Sequence, residues 1–398
     1  MNITFVLPSL SKVGGTRAVF EISNRLIDRG HKVTIIYPLF FLKYNLNSSF
    51  KFFLRRILSG IKNLIKGKKI DWFNLKAKLI RIPSVSPKFV NFFKNQIPDA
   101  DIIIATSWET VYSVNTLEKQ KGAKTYFVQH YEAWDVWDSQ KCWEKAEQLE
   151  TDSEKISLAM VDVIPENKNL AEFKKMVDDT YKLPFKKVTT SLWLKELIEN
   201  KLGEKVEGAI GIGNNFDTFS LDNFENKQKN SQKTILMPWR RIKWKGDEDG
   251  IKALKIVKKE FPEIEVAFFD TKRDEIIPEW VNFYSNPSQK ELKNLYLKAD
   301  IFLMPSWVEG WSSPPMEAMA CGAALVATKV GGIPEYTISG ENAMIMKPKN
   351  PEMIAEAIIE LLKNEDKRYN IAKAGHKYIQ QFNWDGVVNK LENILQNV

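Results

Sequence analysis

Two kinds of apolar spacing alternate along the chain. Short apolar runs at residues 2–7, 32–37, 102–106, 125–129, 234–238, 264–270, 301–304 and 323–328 have the length of buried strands. Residues 186–193 read as a strand running into a helix start, and 282–284 is a further strand candidate. Between the runs, the three-and-four spacing of helices returns. Val19, Phe20, Ile22, Leu26 and Ile27 form one stripe of a helix predicted over 17–29, which Gly30 stops. Met353, Ile354, Ala357, Ile358, Leu361 and Leu362 do the same over 351–363, and helices are also expected at 250–259 and 289–298. At the start of the chain, a strand, a glycine-bearing loop (9–16), a helix and a second strand predict a Rossmann-like sheet. The second half repeats the alternation, so the fold class is α/β with a second parallel-sheet domain.

Composition narrows this picture without redirecting it. At 398 residues there is room for two domains, each with its own core. A hydrophobic content of 44% and a charged content of 27% belong to a globular chain. Cys142 and Cys321 make no disulfide framework and suit a reducing compartment. The chain runs directly into a strand with no basic leader, and it has no apolar run of ~18 residues, so neither a signal peptide nor a membrane span is expected.

The net charge of +8 is concentrated informatively at residues 50–69. Phe50, Phe53, Leu54, Ile57, Leu58, Ile61, Leu64 and Ile65 share one helical face, and Lys51, Arg55, Arg56, Lys62 and Lys66 share the other. No acidic residue occurs between Lys43 and Ile70. This is the pattern of a helix lying on an anionic membrane surface, against the alternative of a core-packed helix with a solvated basic face. The expected location is cytoplasmic, peripheral on the inner face of the plasma membrane. Basic residues gathered on one lipophilic helix do not suit nucleic acid.

The candidate chemistry centres on residues 305–322. The run at 301–304 leads into a loop with Glu309, and seven residues later comes Glu317. Pro314 and Pro315 can open a helix, which would set Glu317 in its first turn. Helix N–H groups suit a phosphate, and the two carboxylates suit hydroxyls. Together with Val330, Gly331, Gly332, Ile333, Pro334 and Glu335, this stretch resembles the donor-site region of the GT4 family of retaining glycosyltransferases.

The resemblance implies the GT-B architecture, two Rossmann-like domains facing across a cleft, with the C-terminal helix crossing back to the N-terminal domain. The domains would be 1–215 with 381–398, and 216–380, joined near the polar stretch 223–233. The implied reaction moves a sugar from a nucleotide diphosphate-sugar to a hydroxyl of a glycan or lipid-linked acceptor, with retention and without a metal or other cofactor. Glu317 would hold the ribose and Glu309 the donor sugar. Arg240 and Lys245, on the family's spacing of two cations before Gly246, would hold the diphosphate, helped by backbone groups of Gly310, Trp311, Ser312 and Ser313. Arg241 and Lys243 are neighbours that could be mistaken for the pair. Asp247 and Asp249 read as a helix N-terminal cap.

In the first half, Gly14 and Gly15 either approach the donor or merely feed a helix. His130, at the end of the run 125–129, would sit by the transferred sugar or serve as a structural strand-end histidine. Trp134, Trp137 and Trp143 suit an acceptor-sugar platform or a packed lid equally, and residues 144–172 are expected to be helical and exposed. A nucleotide-sugar epimerase and a non-catalytic glycan-binding partner are the rival readings. One departure stands out: where the family usually has glycine, this chain has Ser312, whose Cβ restricts the backbone beside the expected phosphate.

Overall fold

The alternation of runs and stripes resolves into two parallel sheets. The computed structural model describes residues 1–39, 70, 72–87, 89–227 and 232–397, and the basic helix expected at 50–69 lies outside them. The chain divides into two units, Met1–Ala133 with Pro165–Gly211 and Trp384–Val398, and Trp134–Ile164 with Ile212–Asn383.

In the first unit the strands are β1 (Asn2–Val6), β2 (Lys32–Pro38), β3 (Lys78–Ile82), β4 (Ile102–Ala105), β5 (Ala123–Val128), β6 (Lys186–Thr189) and β7 (Gly208–Ala209). They lie in the order β3-β2-β1-β4-β5-β6-β7, all parallel. Strand order reverses between β1 and β4, and beyond such a reversal an open sheet leaves a crevice at its carboxyl ends. The helix after β1 spans Gly14–Asp28, so Gly14 and Gly15 open it instead of preceding it in a loop. The terminal helix Trp384–Leu395 packs in this unit, where Glu392 takes an ion pair from Arg29 and a 2.7 Å contact from His31 Nε2.

In the second unit the strands are β8 (Thr234–Pro238), β9 (Glu265–Asp270), β10 (Val281–Ser285), β11 (Ile301–Met304), β12 (Ala324–Thr328) and β13 (Met344–Met346). Their order is β10-β9-β8-β11-β12-β13, again parallel. Every residue of β11 and β12 is buried, which is why both read as unbroken apolar runs instead of alternating ones. The reversal falls between β8 and β11. The loops leaving those two strands carry Arg240 and Lys245, and Glu309, respectively.

A boundary at residue 215 gives residues 134–164 to the first domain, whereas the structure packs them with the second unit. They form a strap of short helices, Trp134–Trp137, Gln140–Leu149 and Ile156–Asp162. Aromatic packing sets the assignment. Trp134 stacks on Trp244 with ring centroids 5.6 Å apart and an 18° interplanar angle, and Trp143 meets Trp307 edge-on at 5.2 Å. Lys349 lies over the rings of both Trp143 and Trp307 and pairs with Glu147, while Lys329 pairs with Glu154 at 2.8 Å. Trp137 and Trp143 are fully buried, so their ring faces are core surface and no sugar platform. Cys142, Ala146, Ile156 and Met160 are buried as well, so the segment is less exposed than its polar composition suggests.

Candidate active site

The site is built where β8 and β11 release the chain. After β8, residues 239–246 turn back toward the sheet. The backbone N–H groups of Arg240 and Arg241 donate to Asp247 Oδ2 at 2.8 and 2.7 Å. Asp247 therefore staples this turn; it occupies the first turn of the helix Asp247–Glu260, whose cap position is Gly246. Asp249, the other acid expected to cap, accepts from the Trp307 indole N–H at 2.8 Å. Burial raises the Asp247 carboxyl from its ordinary value to about 6, against the two backbone donors. Gly246 has φ +69°, and a Cβ there would lie 1.9 Å from the Pro305 carbonyl oxygen. Only glycine lets the two loops approach this closely.

That approach brings the cation to the carboxylate. Lys245 Nζ donates to Glu309 Oε2 at 2.7 Å, and Ser306 Oγ donates to Glu309 Oε1 at 2.8 Å. Lys245 Nζ also lies 4.3 Å from the centroid of the Trp244 ring. Burial lowers the Lys245 pKa from its ordinary value, with Glu309 pulling the other way. Arg241 is committed elsewhere: its backbone has φ +56°, and its guanidinium holds Asp270 at 3.1 Å and Thr271 at 2.8 Å. Arg240 has no carboxylate ion-pair partner among the described residues, and its guanidinium lies 5.7 Å from the Phe269 ring centroid.

Beyond Glu309 the loop rests on backbone. Gly331 has φ +55°, and a Cβ there would meet the Glu309 carbonyl oxygen at 1.9 Å, so residues 330–335 act as the floor on which Glu309 and Gly310 sit. Trp311 turns inward, its indole N–H directed at Met316 Sδ at 2.9 Å, which leaves its backbone and not its ring to line the loop. Ser312 has φ +74° and ψ +98°, a conformation glycine adopts freely and other residues resist. Its Oγ is buried without a hydrogen-bond partner, and its carbonyl accepts from the Tyr336 hydroxyl at 3.0 Å.

The helix that follows is Ser313–Ala320, with both prolines in its opening turn as expected. Glu317 is its fifth residue and so stands one residue deeper than the sequence suggested, just past the first turn. It is buried, and its Oε2 accepts from the Tyr296 hydroxyl at 3.0 Å.

The remaining expected residues belong to the first unit. His130 follows β5 and is buried, and its Nδ1 sits 2.9 Å from the Tyr131 carbonyl. A carbonyl accepts only, so Nδ1 carries a proton in this contact. Gly15 lies beside Gln129, where an added Cβ would sit 3.0 Å from its side-chain oxygen; the space at Gly14 is open. Val13 precedes the helix and supplies no side-chain cap for its first N–H groups. Sequence reasoning missed Trp244, Tyr296, Ser306 and Tyr336, none of which falls in a recognisable spacing. It also assigned Asp247 the wrong group to bond.

This arrangement of loops, a cation and a carboxylate at the reversal of a parallel sheet with a second carboxylate on the next helix, coincides with a family match. Residues 219–378 match the model of the glycosyl transferases group 1. That segment is similar to the group 1 glycosyl transferases. The uncharacterized glycosyltransferase MJ1178 of Methanocaldococcus jannaschii is 28% identical over 118 residues, covering 30% of this chain and 34% of the relative. The D-inositol 3-phosphate glycosyltransferase of Corynebacterium aurimucosum is 33% identical over 114 residues, 29% of this chain and 27% of the relative. The matches thus span about a third or less of these relatives.

Among solved structures, sucrose-phosphate synthase from Thermosynechococcus elongatus aligns over 100% of this chain and 98% of its own, with a TM-score of 0.71 and 17% identity. Anabaena HepE, solved in complex with UDP-glucose, aligns over 100% of both chains with a TM-score of 0.68 and 14% identity. At these identities the likeness is one of fold, the GT-B fold of two parallel-sheet units. Among the described residues, no helix is long and apolar enough to cross a membrane.

Proposed function

We propose that this chain transfers a glycosyl group from a nucleoside diphosphate-sugar to a hydroxyl, with retention of configuration. The observation that carries the reading is the 2.7 Å pair of Lys245 and Glu309 at the carboxyl ends of β8 and β11, inside the segment similar to the group 1 glycosyl transferases. When a nucleoside diphosphate departs, negative charge builds on its phosphates, and Lys245 and Arg240 are the cations placed to stabilise it without a metal. The N–H groups at Ser312 and Ser313 add dipoles at the start of a helix. Glu317 takes the ribose hydroxyls, and Glu309 takes hydroxyls of the transferred sugar.

Both Glu309 oxygens are already engaged, by Lys245 and Ser306, which suits a hydrogen-bonding carboxylate better than a covalent nucleophile. Retention then comes from attack on the face that the phosphate leaves, with the leaving phosphate accepting the acceptor's proton. His130 serves the sugar side together with the helix start at Gly14 and Gly15. The acceptor is a glycan or a lipid-linked hydroxyl, in the assembly of cell-surface polysaccharide, and the basic segment 50–69 brings the chain to the inner face of the membrane. Relatives named as sugar transferases, and HepE described with UDP-glucose, support the donor class.

A thermal-shift screen of UDP-, GDP- and ADP-sugars tests the reading, because a ligand held only by the folded state raises the unfolding midpoint. One nucleotide class should raise it in the wild type and fail to do so in Lys245→Ala. Turnover with that donor should fall by orders of magnitude in Lys245→Ala and Glu309→Gln. Full turnover in both variants would remove the mechanism.

A further inference from the structure

We infer that Trp244, clamped by Trp134 of the strap, is a positioning residue that holds the Lys245 ammonium charged and aimed at the donor diphosphate. The inference rests on the reading of Lys245 as the diphosphate cation. Lys245 has two neighbours of different kinds, the Glu309 carboxylate at 2.7 Å and the Trp244 ring face at 4.3 Å. Glu309 neutralises the charge and competes with phosphate for it. An indole face attracts a cation through its quadrupole and leaves the full charge available. When the diphosphate displaces Glu309 from Lys245, the ring still holds the ammonium in place.

The ring can do this only if its own orientation is fixed. Trp244 is 4% exposed and stacks on Trp134 nearly in parallel. Its carbonyl accepts the backbone N–H of Trp307 at 2.8 Å, and Trp307 is gripped in turn by Trp143 and Lys349. The strap therefore pins both loops of the site, at Trp244 on the loop after β8 and at Trp307 on the loop after β11. Lys243, next to Trp244, also bonds Gln140 of the strap. The charged groups facing Lys245 are Glu309, Asp247 and Arg240; burial depresses its pKa, Arg240 adds to that, and the two acids oppose it. A cation–π contact is a further opposing influence.

The test measures binding of UDP, GDP or ADP, whichever stabilises the wild type, from pH 7 to 10 in Trp244→Leu, Trp244→Phe, Trp134→Leu and Lys245→Ala. The corresponding nucleoside, which lacks phosphate, is measured in parallel. Removing the ring should weaken diphosphate binding about tenfold and move the alkaline loss of binding to lower pH, since the ammonium form is then less favoured. Nucleoside binding should stay as it is. Trp244→Phe should recover part of both effects, and Trp134→Leu should shift the alkaline limb in the same direction as Trp244→Leu. Equal loss of nucleoside and diphosphate, or an alkaline limb that stays in place in Trp244→Leu and Trp244→Phe alike, overturns the inference. Lys245→Ala separates the two claims. If it keeps full diphosphate affinity, the diphosphate role of Lys245 fails; if it loses affinity while Trp244→Leu keeps it, only the role of Trp244 fails.

Discussion

Replacing Ser312 by glycine should make the protein more stable. Ser312 carries a Cβ at φ +74° and ψ +98°, and such strain at a non-glycine residue costs about 1–3 kcal/mol. Its Oγ is buried without a partner, which adds about 1 kcal/mol or more. Glycine removes both costs but frees the unfolded chain, which takes back about 0.5–1 kcal/mol. The net gain is about 1–3.5 kcal/mol. For a unit of this size each kcal/mol moves the unfolding midpoint by about 2–4 °C, so Ser312→Gly should raise it by roughly 2–14 °C. Scanning calorimetry reads the shift, and Ser312→Ala separates its parts. Alanine deletes the hydroxyl and keeps the Cβ, so it should recover only the smaller share. If Ser312→Gly melts at or below the wild-type midpoint, or no higher than Ser312→Ala, the loop does not store the strain its backbone implies.

Gly331→Ala should do the opposite. With a Cβ 1.9 Å from the Glu309 carbonyl and φ +55°, it should cost about 2–4 kcal/mol and displace Glu309, seen as a lower melting midpoint and a loss of turnover that stabilising solutes do not restore. Glu132 supplies a pH test. Burial, with Glu109 adding to it, raises its carboxyl from 4.5 to about 8, although the Trp108 N–H donates to it at 2.6 Å. Below pH 4.5 its proton is bound in both folded and unfolded chains. Between 4.5 and about 8 the folded chain holds the proton more tightly, so this contribution to stability declines as pH rises through that window. Glu132→Gln, neutral throughout, should therefore gain over the wild type in melting midpoint by about 2 °C or more from pH 5 to pH 8. A difference that is flat with pH would show that Glu132 ionises normally.

Much of this fold was legible because both sheets are parallel and buried on two faces, which leaves unbroken runs such as 301–304 and 102–106 with helical stripes between them. β3, β7 and β13 were not legible: β3 (Lys78–Ile82) carries Lys78 and Arg81 and buries only Ile82 fully, so it makes no apolar run, and β7 and β13 run to only two and three residues. The glutamates, Lys245 and the proline pair could be found by spacing, and the oddity of Ser312 could be flagged by its Cβ alone. The strap could not be assigned, because its sequence follows directly on β5 and its partners Trp244 and Trp307 lie roughly a hundred residues or more away. Three tryptophans close together, Trp134, Trp137 and Trp143, were the available signal. The depth of Glu317 was misjudged because the helix begins one residue before the prolines, at Ser313.

The strap also bears on how the chain is made. Trp134–Ile164 leaves the ribosome long before the surface it covers, since Trp244, Trp307 and Lys349 follow at increasing distance. At a synthesis rate of about 5–20 residues per second, its tryptophans wait on the order of ten seconds or more before Lys349 emerges to close over them. During that interval a segment bearing three large aromatic side chains has no finished home, and the growing chain depends on whatever shields it.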